Sequence, residues 1–395
     1  MRITEIKYIA VLIVLCSLVS GCITPQAVPV GEALRAGEDE QQLWHRVEKE
    51  QAVLDSSGLL YQDPELENYL NRIAKKLQAN SIAPDFHFQI KILKDPNMNA
   101  FAFPNGVIYL HTGILSRMEN EAQLAALLSH EMTHCTHRHS LRVIRSVSDR
   151  PAYLAALQEG LAQIAMVQNV ARVLGVAGSL AVSGYTRELE TEADLVGLDL
   201  MAKANYDVNE TLRLFDQLKQ AIEAETGKEP FFFGTHPSVD QRIDNATKWL
   251  AANSEKSGSV KNIEEFQART RAVVLTNAGL DLQRGRFEIA RKTVEKYLSI
   301  RPDDARAYFL YGEILRQRDG QDDAKTAMSY FKKSIALDPS MPEPQKAMGL
   351  ILYKEGEKHL AKKFFETCLL LSPNASDSAY IRRYLKNCNA NGEES

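Results

Sequence analysis

The chain is 395 residues long, 45% hydrophobic and 25% charged. That composition excludes a disordered or membrane-embedded chain and leaves room for two or three domains of about 100–200 residues. Lysine and arginine total 47 against 51 aspartates and glutamates, a formal net charge of −4, and this balance argues against nucleic acid as a partner. Five cysteines are too few for a disulfide scaffold. The 21 glycines and 14 prolines lie below ordinary usage and lean the chain toward helix.

Residues 1–21 read as a secretory signal. Arg2 and Lys7 give a basic start, Tyr8 to Leu18 is an apolar run too short to cross a bilayer, and Val19-Ser20-Gly21 precede Cys22. Small residues ahead of a cysteine resemble the bacterial lipoprotein signal. The resemblance implies that Cys22 is lipidated and becomes the mature N-terminus, and two or more acyl chains anchor a protein stably. Residue 23 is Ile rather than Asp, which by the enteric sorting pattern implies delivery to the periplasmic face of the outer membrane. In that oxidising compartment Cys368 and Cys388 are a candidate disulfide pair. Residues 22–35, with Pro25 and Pro29, are expected as a tether.

Residues 36–56 read as a charged helix. Over residues 64–80, Leu66, Leu70, Ile73 and Leu77 recur at helical spacing. Phe86 to Leu93 alternates like a strand, and the Asn105-Gly106 step flanked by β-favouring residues predicts a hairpin over 99–110. Residues 119–136 are a predicted helix rich in Ala and Leu. Residues 151–183 are apolar and Ala/Gly-rich; Val173 to Tyr185 carries no charge but is too short for a membrane span, so a lid or packing element is expected. Helices are predicted over 187–204 and 209–223, and the polar, Ser/Gly-rich stretch from Asn253 marks a linker at 253–263.

Beyond the linker the chain repeats. Gly279, Gly312 and Gly349 recur, as do Ala290, Ala327 and Ala361, Pro302, Pro339 and Pro373, and the larger Val294, Phe331 and Phe365. The period is about 34, with extra residues near 318–325, and it resembles the tetratricopeptide (TPR) repeat: two helices per unit, small residues where they cross, proline at the boundary. Residues 264–390 are therefore expected to be an all-α solenoid with a concave binding surface.

The sharpest motif is His130-Glu131-Met132-Thr133-His134. On a helix the two histidines sit one turn apart on one face and can meet one ion, with Glu131 beside them to take a proton from the attacking water. A catalytic zinc takes three protein ligands. Candidates for the third are Glu188, Glu190, Glu192, Asp194, His137, His139 and His236. Glu190 and Asp194 are spaced i, i+4 on one predicted helix, which suits a ligating carboxylate plus a carboxylate that orients a ligand histidine; Glu192 points to another face.

Three further segments join this motif: Arg138-His139, Arg187-Glu-Leu-Glu190-Thr-Glu-Ala-Asp194, and Thr235-His236-Pro237 with Arg242-Ile243. Together with Asn99 to Gly106 they resemble the HtpX/CAAX-prenyl-protease family of gluzincin peptidases, in its periplasmic type with a TPR tail. The resemblance implies one Zn²⁺ held by His130, His134 and Glu190, Glu131 as general base, and Asp194 against a ligand histidine. It also implies that His236 lies near the metal, as an oxyanion donor or as a plug on the fourth coordination position. Gly106, Val107, Ile108 and Tyr109 are a candidate strand for binding extended substrate by strand addition.

The expected architecture is α+β: a mostly helical, zincin-like core with a small sheet over 36–252, followed by the TPR solenoid. The expected function is an outer-membrane-tethered zinc endopeptidase that degrades misfolded or misassembled outer-membrane proteins. Its TPR repeats bind clients or their assembly machinery. The alternative is an assembly chaperone with gated peptidase activity.

Overall fold

The computed structural model describes residues 38–147, 185–225 and 239–389. Helix α1 (Glu38–Ser56) is followed by α2 (Pro64–Gln78). α2 starts where the sequence provides a cap and a pre-set φ. The Asp63 carboxylate accepts from the Leu66 N–H at 3.0 Å and Pro64 is the first helical residue. Leu66, Leu70, Ile73 and Leu77 face the core.

The sheet has three strands, β1 (Gln89–Leu93), β2 (Ala100–Ala102) and β3 (Val107–His111), in the order β1-β3-β2. β1 runs parallel to β3 with Gln89 opposite Val107, and β2 runs antiparallel to it with Ala100 opposite Leu110. Gly106 makes the turn at φ +93, and a Cβ there would lie 2.2 Å from the His87 carbonyl oxygen, so no other residue fits without displacing backbone.

This order corrects one expectation. Gly106, Val107, Ile108 and Tyr109 belong to or adjoin the middle strand, whose two edges are already paired, and Ile108 and Tyr109 are fully buried. Strand addition needs an unpaired row of N–H and C=O groups, and β3 has none to offer. The outer edge of β1 is covered as well: the Tyr61 N–H donates to the Ile92 carbonyl at 2.8 Å and the Lys94 N–H to the Leu59 carbonyl at 2.7 Å. β2 is the other sheet edge, and it packs against α4.

A short helix α3 (Thr112–Leu115) leads to α4 (Glu121–Thr136), capped by the Asn120 side chain, which accepts from the Gln123 N–H at 3.0 Å. Every residue of α4 is buried, as a helix apolar on most sides must be. α5 (His139–Val147), α6 (Arg187–Lys203), α7 (Asn209–Glu225) and α8 (Val239–Ala252) complete this half. α6 and α7 pack directly on α4.

Residues 253–263, expected as a linker, run along the first half of the molecule. The Gly258 N–H donates to the Tyr206 carbonyl at 3.0 Å, and Val260 bridges Tyr206. Two buried carboxylates then fasten the segment. Glu121 accepts from Tyr69 and Tyr206 hydroxyls, each at 2.7 Å, and from Asn262 Nδ2 at 2.8 Å; Glu210 accepts from Lys261 Nζ at 2.8 Å and Asn120 Nδ2 at 2.7 Å. Helix α9 (Ile263–Gln283) places Phe266 and Val273 in the same hydrophobic core as α2 and α4. The core thus crosses the sequence boundary between the two halves.

The repeats follow as α10 (Phe287–Ile300), α11 (Ala305–Arg318), α12 (Asp323–Leu337), α13 (Pro342–Lys354), α14 (Lys358–Leu371) and a last helix α15 (Ser378–Asn389). Ala290, Ala327 and Ala361 are all fully buried. A Cβ on Gly312 would lie 2.4 Å from the Phe331 ring and one on Gly349 2.6 Å from the Phe365 ring, whereas Gly279 meets nothing within 4 Å. The difference follows from the partner residue, which in the first repeat is the shorter Val294. Gly312→Ala is therefore expected to destabilise by about 1–3 kcal/mol through overpacking. Gly279→Ala is expected to stabilise by about 0.5–1 kcal/mol through helix propensity. Urea unfolding of the two variants checks this pair.

Cys135, Cys368 and Cys388 are free thiols, so the candidate Cys368–Cys388 pair is not formed, although both border one apolar cluster. No helix among the described residues is long and apolar enough to cross a membrane. Cys22, His236 and all of 151–183 lie outside the described residues.

Candidate metal centre

α4 and α6 build the site together. Gly197 lets them close: a Cβ there would lie 3.2 Å from Ser129 Oγ and 3.3 Å from the His130 nitrogen. That contact brings Glu190 and Asp194 of α6 onto the histidines of α4. His130 Nε2 and His134 Nε2 are 3.0 Å apart. Glu190 Oε2 is 3.4 Å from His130 Nε2, and Glu190 Oε1 is 3.7 Å from His134 Nε2. Ligands about 2.0–2.2 Å from a tetrahedral ion are about 3.3–3.6 Å from one another, so the three groups outline one face of such a tetrahedron. Among the described residues they form the one group of His, Cys, Asp or Glu side chains arranged this way. All three are buried, and Glu131 beside them is 2% exposed.

Each histidine is oriented through its other ring nitrogen. His130 Nδ1 lies 3.0 Å from Asp194 Oδ1. With Nε2 in the ligand set, Nδ1 carries the hydrogen and donates it to that carboxylate, the arrangement that fixes tautomer and ring plane in metal sites. Arg242, from α8, holds Asp194 in turn, its Nη2 at 2.6 Å and its Nε at 3.1 Å from the carboxylate, with the guanidinium over the Phe215 ring. Burial alone raises the Asp194 carboxyl, but Arg242 and His130 outweigh it and hold it below the usual range. Burial and the Arg242 charge press His130 toward neutrality; the carboxylates of Asp194 and Glu190 outweigh both and lift it to about 9. A metal ion at this site therefore competes with a proton.

His134 is oriented by another histidine, a role that spacing did not assign. Its Nδ1 lies 2.8 Å from His139 Nδ1. Burial lowers the pKa of His139 and keeps it neutral, so it accepts from the His134 Nδ1–H. Its Nε2 faces Glu192 Oε2 at 3.6 Å, and Glu192 is paired with Arg142 at 2.8 Å. The contact depends on a backbone turn. Arg138 adopts φ +54, the left-handed conformation that ends α4 and folds His139 back onto it, and its side chain is tied to Glu40 at 3.0 Å. Tyr185 stacks on the His134 ring, centroids 4.1 Å apart, with its hydroxyl 2.7 Å from Ser140 Oγ. His139→Ala is expected to weaken metal binding about 10–100-fold. His139→Asn, whose amide oxygen can accept the same hydrogen, should retain most of it; chelator competition measures both.

Residues 63–250 match peptidase family M48, and 347–375 match a tetratricopeptide repeat. The matched M48 region holds His130, His134 and Glu190. The match runs from the start of α2 into α8 and takes in the sheet and the whole metal centre. The chain is 35% identical over 185 residues to the mitochondrial metalloendopeptidase OMA1 of Schizosaccharomyces pombe, covering 46% of this chain and 52% of that protein. It is 26% identical over 348 residues to the beta-barrel assembly-enhancing protease of Escherichia coli, covering 78% and 68%. To the protein of the same name in Yersinia pestis it is 30% identical over 202 residues, covering 48% and 40%. The chain thus spans about half the length of several of the curated relatives it matches.

Proposed function

We propose that this chain is a zinc endopeptidase of the bacterial envelope that hydrolyses misfolded or misassembled outer-membrane proteins. In this reading a lipid on Cys22 tethers it to the periplasmic face of the outer membrane, and the TPR repeats bind clients or their assembly machinery. The observation that carries the reading is the buried triangle of His130, His134 and Glu190 with Glu131 on the same helix. The names of the Escherichia coli and Yersinia pestis relatives support the substrate class.

Two imidazoles and a carboxylate are the donor set of catalytic zinc, and their separations fit a tetrahedral ion. When bound, zinc supplies a Lewis acid that polarises the scissile carbonyl and makes water acidic enough to react near neutral pH. Glu131 accepts the proton of the attacking water and returns it to the leaving amine. Asp194 and Arg242 hold His130, and His139 and Tyr185 hold His134, so the donor atoms keep one geometry. β2, the sheet edge against α4, is the strand on which an extended segment can be laid.

The burial of all four site residues favours one further reading, an assembly chaperone whose peptidase is gated. One assay separates the two: metal-loaded chain is incubated with an unfolded outer-membrane β-barrel protein, and fragments are followed by mass spectrometry. Cleavage that stops with a zinc chelator supports the endopeptidase; an intact client that nevertheless stays soluble supports the chaperone.

A further inference from the structure

A groove of about 750 Å³ runs between the M48 half and the first repeat, away from the metal centre. Its walls are Ser116–Asn120 and α7 on one side and α9 and α10 on the other. Seven cationic side chains line it, Arg117, Arg213, Lys261, Arg271, Lys292, Lys296 and Arg301, against two carboxylates, Glu119 and Glu210. This is a local excess of positive charge in a chain whose net charge is −4.

Several of these cations are already engaged. Lys261 and Arg213 pair with Glu210, Lys296 pairs with Glu119, and Arg117 donates to the Gly113 carbonyl. Arg271, Lys292 and Arg301 are exposed, and none of them has a carboxylate within 4.0 Å among the described residues. The same walls present Ile263 and Ile300, each 47% exposed, with Val274 and Met118 beside them. Large apolar side chains left in water next to unpaired cations mark an interaction surface.

We infer that this groove binds an extended acidic polypeptide segment with interspersed apolar residues. The lining alternates along α9 as Ile263, Gln267, Arg271 and Val274, one face of the helix. At 1.5 Å per residue that face is about 16 Å long, the span of about five residues of extended chain. Acidic side chains meet Arg271, Lys292 and Arg301, and apolar ones cover Ile263 and Ile300. A flat lipid surface cannot follow a groove between two walls, whereas an extended chain can lie along it. The inference does not depend on the peptidase reading.

The test uses the full chain carrying Glu131→Gln, so that no peptide is cut. The probe is a fluorescein-labelled decapeptide alternating Glu with Leu, followed by anisotropy. The expected result is binding that weakens with salt, weakens about tenfold or more in R271E/K292E/R301E, and is unchanged in K358E/K362E/K363E on α14. Circular dichroism of the charge-reversed chain checks that it is folded, and R271A/K292A/R301A should weaken binding to an intermediate degree. Equal binding by the charge-reversed groove, equal loss in the α14 variant, or equal binding of a Lys/Leu decapeptide would overturn the inference. So would charge reversal that abolishes flotation with phosphatidylglycerol vesicles and leaves peptide binding untouched, since that outcome assigns the cations to a membrane.

Discussion

Glu131→Gln is expected to lower kcat for hydrolysis of an unfolded client by about 10²–10⁴-fold, the contribution of a positioned general base. The metal content should stay at wild-type level. Glutamine keeps the size and polarity of the side chain, so the wholly buried helix α4 keeps its packing, and the neighbouring histidines keep their partners in Asp194 and His139. What is lost is the ability to accept a proton. Single-turnover cleavage, with metal content measured on the same samples, separates this loss from loss of the ion. Undiminished cleavage by the variant would remove Glu131 from the mechanism.

Glu190→Ala is expected to have the other large effect. Glu190 is completely buried and supplies the only carboxylate of the donor set. Its removal leaves two imidazoles, and metal affinity should fall by more than about 100-fold, the most that loss of a ligand's orienting partner costs. The loss extends to stability. A ligand that binds only the folded chain stabilises it by about 2.7 kcal/mol at 100 times its Kd. Thermal unfolding with and without added zinc should therefore show a rise in midpoint for the wild type and little or none for Glu190→Ala. The wild type with chelator should unfold near the variant.

Much of this site was legible because helical spacing is rigid. His130 and His134 at i, i+4 had to share a face, and Glu190 and Asp194 at i, i+4 had to point together, so α4 and α6 only needed to meet. Gly197, which allows that close meeting, carried no spacing signal. Nor did the His134–His139 contact, because it depends on a left-handed turn at Arg138, a residue type with no preference for that conformation. Arg242 entered only as part of the segments that carry the resemblance; it packs on Phe215 and clamps Asp194 from α8. The strand and the hairpin are where the sequence places them, but the substrate role expected for Gly106 to Tyr109 fails for a different reason. An Asn-Gly turn specifies two adjacent antiparallel strands but says nothing of a third. β1, paired in parallel with β3, made the expected substrate strand an interior one. The repeats were legible through their small residues, and the structure adds what each opposes: Phe331 on Gly312, Phe365 on Gly349 and only Val294 in the first unit. The docking of α9 on the M48 half rests on the buried carboxylates Glu121 and Glu210, which in sequence look like ordinary helix-face acids.

The most direct test of the metal centre is anomalous diffraction at the zinc absorption edge from crystals of the zinc-loaded chain. The account predicts one peak per chain, bonded to His130 Nε2, His134 Nε2 and Glu190 at about 2.0–2.2 Å. A fully loaded chain whose peak lies elsewhere, or whose ion leaves Glu190 uncoordinated, would contradict it.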